Sequence, residues 1–79
     1  MKVDIITPDS TLFSGDQVVL VQLPGIDGSF EVLNDHAPLI SILKKGKVKL
    51  QNKGEKEQFF DINGGVIEVL SNKVLILAE

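Results

Sequence analysis

Turn-forming residues interrupt this chain every ~6–12 residues, and the segments between them are short and rich in β-branched side chains. No stretch of about 10–12 residues combines a helical period with end caps. We therefore expect at least eight short antiparallel strands in a sandwich or barrel, forming one domain over residues 1–79. The predicted strands are Lys2–Thr7, Thr11–Phe13, Gln17–Leu23, Ser29–Leu33, Leu39–Leu43, Lys47–Gln51, Gln58–Ile62, Val66–Leu70 and Lys73–Ala78.

Two hairpins are predicted in the second half of the chain. Lys47–Gln51 alternates between polar and apolar residues and is followed by a short turn, so it should pair with Gln58–Ile62. Val66–Leu70 should pair with the final strand across Ser71-Asn72. Lys44-Lys45-Gly46 is predicted to be a turn, and Asn63-Gly64-Gly65 a sharp corner or bulge.

The segment Gln17–Leu23 is apolar on both predicted faces, with Val19, Val21 and Leu23 on one face and Val18 and Leu20 on the other. A chain of 79 residues buries only about 60–65% of its unfolded surface, and this one has no cysteine for disulfides. Close packing or a partner surface must therefore supply the remaining stability.

Composition excludes several classes of function. A net charge of −3 and a pI near 5.0 argue against a nucleic-acid surface. Trp and Tyr are absent, which removes the usual stacking platforms for sugars and single strands. With no cysteine and one histidine, no zinc site is expected. There is no signal-peptide pattern and no membrane-length apolar run, so we expect a cytosol-like compartment unless a partner holds the chain at a membrane.

The stretch Pro24–Pro38 holds two of the three prolines and the only histidine, His36. As a general base, His36 would need a nucleophile and an orienting carboxylate, but Asp35 is adjacent and should point to the opposite face. A backbone hydrogen bond near Pro38 is the favoured interpretation, and a contact at a protein interface is the alternative. No catalytic, cofactor-binding or metal-binding residue is predicted.

The remaining candidate features have simple structural interpretations. The turn Gly25–Gly28 lacks the lysine and helix of a phosphate-binding loop. The carboxylates of Asp27, Glu31 and Asp35 indicate a solvated edge or an interface rim. The basic run Lys44, Lys45, Lys47 and Lys49 indicates a solvated face, with an acidic partner as the alternative. The residues predicted to shape loops are Pro24, Gly25, Ala37, Pro38, Gly64 and Gly65.

Several ordered motifs carry a resemblance to a known family. They are Ile6-Thr7-Pro8, Leu12-Phe13-Ser14-Gly15, Val21–Pro24, Gly28-Ser29-Phe30 with Leu33, His36-Ala37-Pro38-Leu39-Ile40, Leu43-Lys44 with Gly46, Gly64–Val69 and Val74–Ala78. In this combination the chain closely resembles the N-terminal domain of the epsilon subunits of F-type ATP synthases, whose mitochondrial counterpart is named delta.

The resemblance implies a flattened antiparallel β-sandwich of about ten short strands and a non-catalytic role in the central stalk. It implies the gamma subunit and the c-ring as partners, and a peripheral location on the cytoplasmic face of a bacterial inner membrane or on a thylakoid. The residues expected nearest the c-ring are Gly28, Ser29, Phe30, Glu31 and His36. An apolar face should contact gamma, with candidate residues on the strands Val18–Leu23 and Leu39–Leu43.

Two departures from the family pattern stand out. Glu31 replaces a glycine that many members have, and Asn34-Asp35 replaces Pro-Gly, a mild change because both residues tolerate turns. Many members also continue into two C-terminal helices that can inhibit ATP hydrolysis and in some cases bind ATP. This chain ends at Glu79, so it is interpreted as a naturally short form or a truncation, and neither role is carried over to it.

A small β carrier domain of the lipoyl or biotinyl type is the alternative from another class. It would present a lysine at a hairpin tip, and Lys53 is the nearest candidate, although the flanking motif is missing. An adduct on Lys53 would identify this class.

Overall fold

The computed structural model describes residues 1–79 and contains seven β-strands and no helix. The strands are β1 (Lys2–Ile6), β2 (Thr11–Gly15), β3 (Val18–Gly25), β4 (Gly28–Leu33), β5 (Leu39–Asn52), β6 (Glu57–Leu70) and β7 (Lys73–Ala78). The all-β class is confirmed, but the predicted number of about ten strands is wrong.

All seven strands belong to one hydrogen-bonded sheet in the order β2-β1-β7-β6-β5-β3-β4. The two longest strands, β5 and β6, have 14 residues each and pair along almost their whole length. In one half of this hairpin, residues 65–70 of β6 pair with β7. In the other half, β5 pairs with β3, mainly through residues 49–52. The sheet thus folds across the middle of the hairpin into two layers.

The strand count differs from the prediction because two expected turns do not break their strands. Lys44 pairs with Gly64 and Gly46 pairs with Ile62, so the ladder continues through both. Gly64 and Gly65 have φ angles of 131° and 148°, which only glycine adopts readily. The predicted corner at Gly64-Gly65 is therefore a bend that β5 follows while it remains paired.

This bend also changes which side chains face the core. Leu43 and Val48 are both buried although they are five residues apart on β5, and Ile62 and Ile67 are both buried on β6. Regular alternation would place such residues on opposite faces. The rotation at the bend therefore lets each half of the hairpin direct its apolar residues inward.

The expectation of a purely antiparallel sheet is wrong at one interface. β1 pairs with β7 in parallel, with Val3 beside Val74 and Ile5 beside Ile76. Parallel neighbours require a long connection, and here almost the whole chain connects the two strands. The predicted hairpins β5–β6 and β6–β7 are confirmed.

The two layers enclose one cluster of 16 buried hydrophobic residues, against which Phe13, Phe30, Leu39 and Phe60 are partly buried. Phe13 of β2 and Phe60 of β6 meet with ring centroids 5.8 Å apart, in a tilted arrangement. On β3, Val18 is fully buried together with Val21. The predicted grouping of Val19 with Val21 fails because the register of β3 against β5 shifts between Val18 and Leu20.

Candidate docking surface

The outer side of the layer β2-β1-β7-β6-β5 is unusually apolar. In one row across four strands, Ile42 lies beside Val66, Val66 beside Leu77, and Leu77 beside Ile6. A second row places Ile40 beside Glu68 and Glu68 beside Leu75. We call this surface the apolar face; its apolar members are Ile6, Ile40, Ile42, Val66, Leu70, Leu75 and Leu77.

Most apolar side chains of this face are strongly exposed. Ile40 is 72% exposed and Ile42 is 58% exposed, and Leu70 and Leu77 are also exposed. Scattered exposed aliphatic residues are common on proteins, but a contiguous group across several strands marks an interaction site. The arrangement can therefore bind a complementary apolar surface.

The local sequence explains why this face is apolar. Along the second half of β6 and along β7, most of the residues between the core-facing positions are also aliphatic, so the usual alternation with polar residues is largely absent. Ile67 and Val69 point inward, whereas Val66 and Leu70 point outward. Strands that are apolar on both faces are typical of a sheet that is covered on both sides.

The outer side of the other layer is more polar. Lys47 Nζ lies 2.9 Å from Asp61 Oδ1, and Lys49 Nζ lies 3.1 Å from Glu57 Oε2. These pairs use two of the four lysines of the predicted basic run. Two exposed apolar residues of this layer, Leu33 and Phe59, lie in different rows of the sheet, because Leu33 is opposite Leu20 and Phe59 is opposite Lys49. Because only the first layer has a contiguous exposed apolar surface, the apolar face is the stronger candidate for binding a partner protein.

The structure separates the residues predicted for the c-ring contact into two groups. Gly28, Ser29, Phe30 and Glu31 lie at the start of β4, next to the β3–β4 turn. His36 follows the opposite end of β4, where Asp35 N donates to Asn72 Oδ1 at 2.8 Å. A strand of six residues spans about 20 Å, so one compact contact cannot be centred on both groups.

Within the first group the side chains differ in their surroundings. Ser29 and Glu31 are exposed, whereas Phe30 is half-buried against the core. Glu31 is on the edge strand β4 and lies opposite Gln22 of β3. Its side chain extends into solvent, which explains how this position accepts a larger residue than glycine. Gly28 has a φ of 132° and open space around it.

The exposed imidazole of His36 contacts its own loop. Nδ1 lies 2.7 Å from the carbonyl oxygen of Ala37, next to Pro38, which agrees with the predicted backbone hydrogen bond. No group of three or more His, Cys, Asp or Glu residues is arranged to hold a metal ion.

Pro24 and Gly25, which were predicted to shape a loop, are the last two residues of strand β3 and are closely packed. A Cβ on Gly25 would lie 2.5 Å from the Gly28 carbonyl oxygen and 2.8 Å from the Phe30 ring. A Cβ on Gly46 would lie 2.9 Å from Pro24 Cβ. The β3–β4 hairpin thus packs onto the β5 bend, and Ile26 N donates to Ile42 O at 3.0 Å.

Sequence reasoning found only part of the candidate surface. The expected strand Leu39–Leu43 does contribute Ile40 and Ile42, whereas β3, the other candidate, belongs to the more polar layer. The contributions of β6, β7 and β1 were missed. Their two-sided apolar pattern was a usable signal, but it does not show that the outward residues of three strands adjoin.

Comparison with known proteins identifies the family. The family described as "ATP synthase, Delta/Epsilon chain, beta-sandwich domain" matches residues 1–79. This chain belongs to that family. The resemblance inferred from the motifs is thereby confirmed, and the β-sandwich architecture with it.

Relatives named as ATP synthase epsilon chains differ in length. The chain from Chlorobium limicola is 46% identical over 78 residues, which cover 99% of this chain and 88% of that relative. The chain from Alkalilimnicola ehrlichii is 37% identical over 79 residues, which cover all of this chain and 56% of that relative.

Solved structures share the fold at lower identity. A chain of the Tetrahymena thermophila mitochondrial ATP synthase central stalk/c-ring structure has a TM-score of 0.85 at 20% identity, over 99% of this chain and 62% of that one. A chain of the Euglena gracilis mitochondrial ATP synthase OSCP/F1/c-ring structure has a TM-score of 0.89 at 21% identity, over 96% of this chain and 48% of that one. The structure of this chain contains no helix that could cross a membrane.

Proposed function

We propose that this chain is a non-catalytic rotor subunit in the central stalk of an F-type ATP synthase. In this role it links the gamma subunit to the c-ring and so couples ion-driven rotation to ATP synthesis. Membership of the delta/epsilon family supports the assignment, as do relatives named as ATP synthase epsilon chains. Its location would be peripheral, on the cytoplasmic face of a bacterial inner membrane.

The apolar face is the proposed contact with gamma, and its exposure is the observation that carries this assignment. The aliphatic side chains of β5, β6 and β7 lie side by side and remain uncovered. Covering them with another protein removes apolar surface from water, which stabilises the complex by roughly 25 cal/mol per Å² before the costs of association. A rotor subunit needs such a stable contact to turn together with its shaft.

The proposed c-ring contact is the β3–β4 turn with the start of β4, comprising Gly28, Ser29, Phe30 and Glu31. This end of the sandwich exposes the polar residues Ser29 and Glu31 together with Ile26 of the turn, which is 57% exposed. His36 lies beyond the other end of β4, so it can join this contact only if the ring surface reaches around the domain. We therefore centre the contact on the turn.

Binding to gamma can be tested by substituting two residues whose side chains are equally exposed in the free chain. Ile42, on the apolar face, and Phe59, on the other layer, are both 58% exposed. Ile42→Lys should weaken binding to the gamma subunit of the same organism by at least about tenfold, because the complex would bury an unpaired ammonium. Phe59→Lys should bind as the unmodified chain does.

The measurement is a binding titration with purified gamma, accompanied by circular dichroism to confirm that both variants fold. Tagged unmodified chain should also retain gamma and c-ring from native membranes. Failure of the unmodified chain to bind either partner would overturn the proposed function. Equal binding by Ile42→Lys and the unmodified chain would exclude the apolar face as the gamma contact.

A further inference from the structure

Glu68 is an exposed carboxylate near the middle of the apolar face. Across the sheet it is directly flanked by Ile40 and Leu75. Along β6, the next residues on the same side are Val66 and Leu70. Its four immediate neighbours on this surface are therefore aliphatic.

No cation of this chain forms an ion pair with Glu68. The three ion pairs of the structure join Lys2 with Asp4, Lys47 with Asp61, and Lys49 with Glu57. Lys2 also donates to Ser14 Oγ at 3.1 Å. Glu68 thus differs from Asp4, the nearest carboxylate in the same row of the sheet, which has a lysine partner.

We propose that Glu68 is a specificity-determining residue of the apolar face, and that its carboxylate pairs with a lysine or arginine of gamma presented among apolar side chains. The inference rests on the proposed function, because it assumes that gamma covers this face. Covering an unpaired carboxylate with apolar groups is strongly unfavourable. A partner that supplies an opposing cation avoids this cost, whereas an otherwise similar apolar surface does not.

The surface beside Glu68 has room for such a side chain. Two open depressions adjoin it, and both are lined by Glu68 and Leu70. One, of about 380 Å³, also contains Lys73 and the ion pair of Lys2 with Asp4, so two cations of this chain already occupy it. The other, of about 370 Å³, is lined by Pro38 and Ile40 and contains no lysine. A lysine or arginine stem would lie along this second depression with its charged end at Glu68.

The test compares two substitutions of Glu68 in binding titrations with purified gamma. Glu68→Met keeps a similar size and adds apolar surface, so it should strengthen binding if the charge is merely tolerated. If a cation of gamma faces Glu68, Glu68→Met leaves that cation buried and unpaired, and binding should weaken by about tenfold or more. Glu68→Gln keeps the shape of the side chain and removes its charge, so it should also weaken binding to gamma.

Glu57→Gln is the matched control, because Glu57 is a carboxylate on the other layer, and it should leave binding to gamma unchanged. Unchanged or tighter binding by Glu68→Met, with Ile42→Lys still impaired, would overturn the role of Glu68 and leave the proposed function intact. Unimpaired binding by Ile42→Lys would instead overturn the docking face and this inference together. Circular dichroism on each variant verifies that it is folded.

Discussion

At the scale of single residues, Gly28 and Gly65 show how the surroundings decide what a glycine does. Their φ angles are similar, at 132° and 148°. No atom outside the adjoining residues lies within 4 Å of a Cβ built on Gly28, whereas a Cβ on Gly65 would overlap the Leu77 carbonyl oxygen. Both positions disfavour a side chain through the backbone, but only Gly65 also lacks space.

We therefore expect Gly65→Ala to destabilise the domain more than Gly28→Ala. Backbone strain should lower the free energy of unfolding by about 1–3 kcal/mol in either variant. Gly65→Ala should add the cost of displacing β7 from β6, since Gly65 pairs with Ala78. Urea denaturation of both variants gives their free energies of unfolding. An equal decrease in the two variants would show that the overlap with Leu77 is relieved without cost.

Glu31 and Glu68 show that the role of a charged side chain depends on the residues around it. Glu31 attracts attention in the sequence because it departs from a family glycine, yet it projects from an edge strand into solvent. Glu68 fits the family pattern and yet stands among exposed aliphatic side chains. Two of its aliphatic neighbours, Ile40 and Leu75, lie on other strands, so the sequence around Glu68 does not reveal its surroundings.

At the scale of elements, the two edge strands are anchored unequally. β4 contributes the fully buried Val32 and the half-buried Phe30 to the core. β2 contributes only the partly buried Phe13 and has no buried residue. Few buried apolar contacts favour local opening, so β2 should separate from the sheet more readily than β4.

Amide hydrogen exchange followed by NMR tests this difference. Among amides that are hydrogen-bonded within the sheet, those joining β2 to β1 should exchange faster than those joining β4 to β3. The slowest exchange should occur in β6 and β7, which lie inside the sheet and are rich in buried residues. Protection of β2 equal to that of β6 would contradict the expectation.

The hairpins illustrate what local sequence can specify. The turn Ser71-Asn72 has positive φ at both residues, 51° and 59°, as a type I′ two-residue hairpin turn requires. This turn and the β5–β6 hairpin were predictable because their determinants are adjacent in sequence. The continuous 14-residue strands were not, because two paired strands had to bend together at Gly64-Gly65.

At the scale of the whole molecule, the domain has distinct surfaces for its two proposed partners. The apolar face covers one layer, whereas the β3–β4 turn forms one end of the sandwich. The two surfaces adjoin where Ile26 N of the turn donates to Ile42 O, so gamma and the c-ring would bind side by side on this domain. This arrangement suits a subunit that transmits rotation between them.

The orientation toward the c-ring can be tested with single cysteines, since the chain has no cysteine of its own. Ser29→Cys and His36→Cys place a photoactivatable cross-linker at the two separated candidate sites. In the assembled complex, Ser29→Cys should yield a product with the c subunit and His36→Cys should not. The products are identified by mass spectrometry, and the reverse pattern would move the contact to the other end of β4.

The sequence by itself determined the all-β class and the two hairpins, because alternation, turn residues and strand propensity act between near neighbours. Only the tertiary structure decided that β1 and β7 pair in parallel, that His36 lies away from the β3–β4 turn, and that aliphatic residues adjoin around Glu68. These features arise from pairing between distant strands. The physical reason is that a side chain's surroundings depend on the register of the neighbouring strands, which its own segment does not encode.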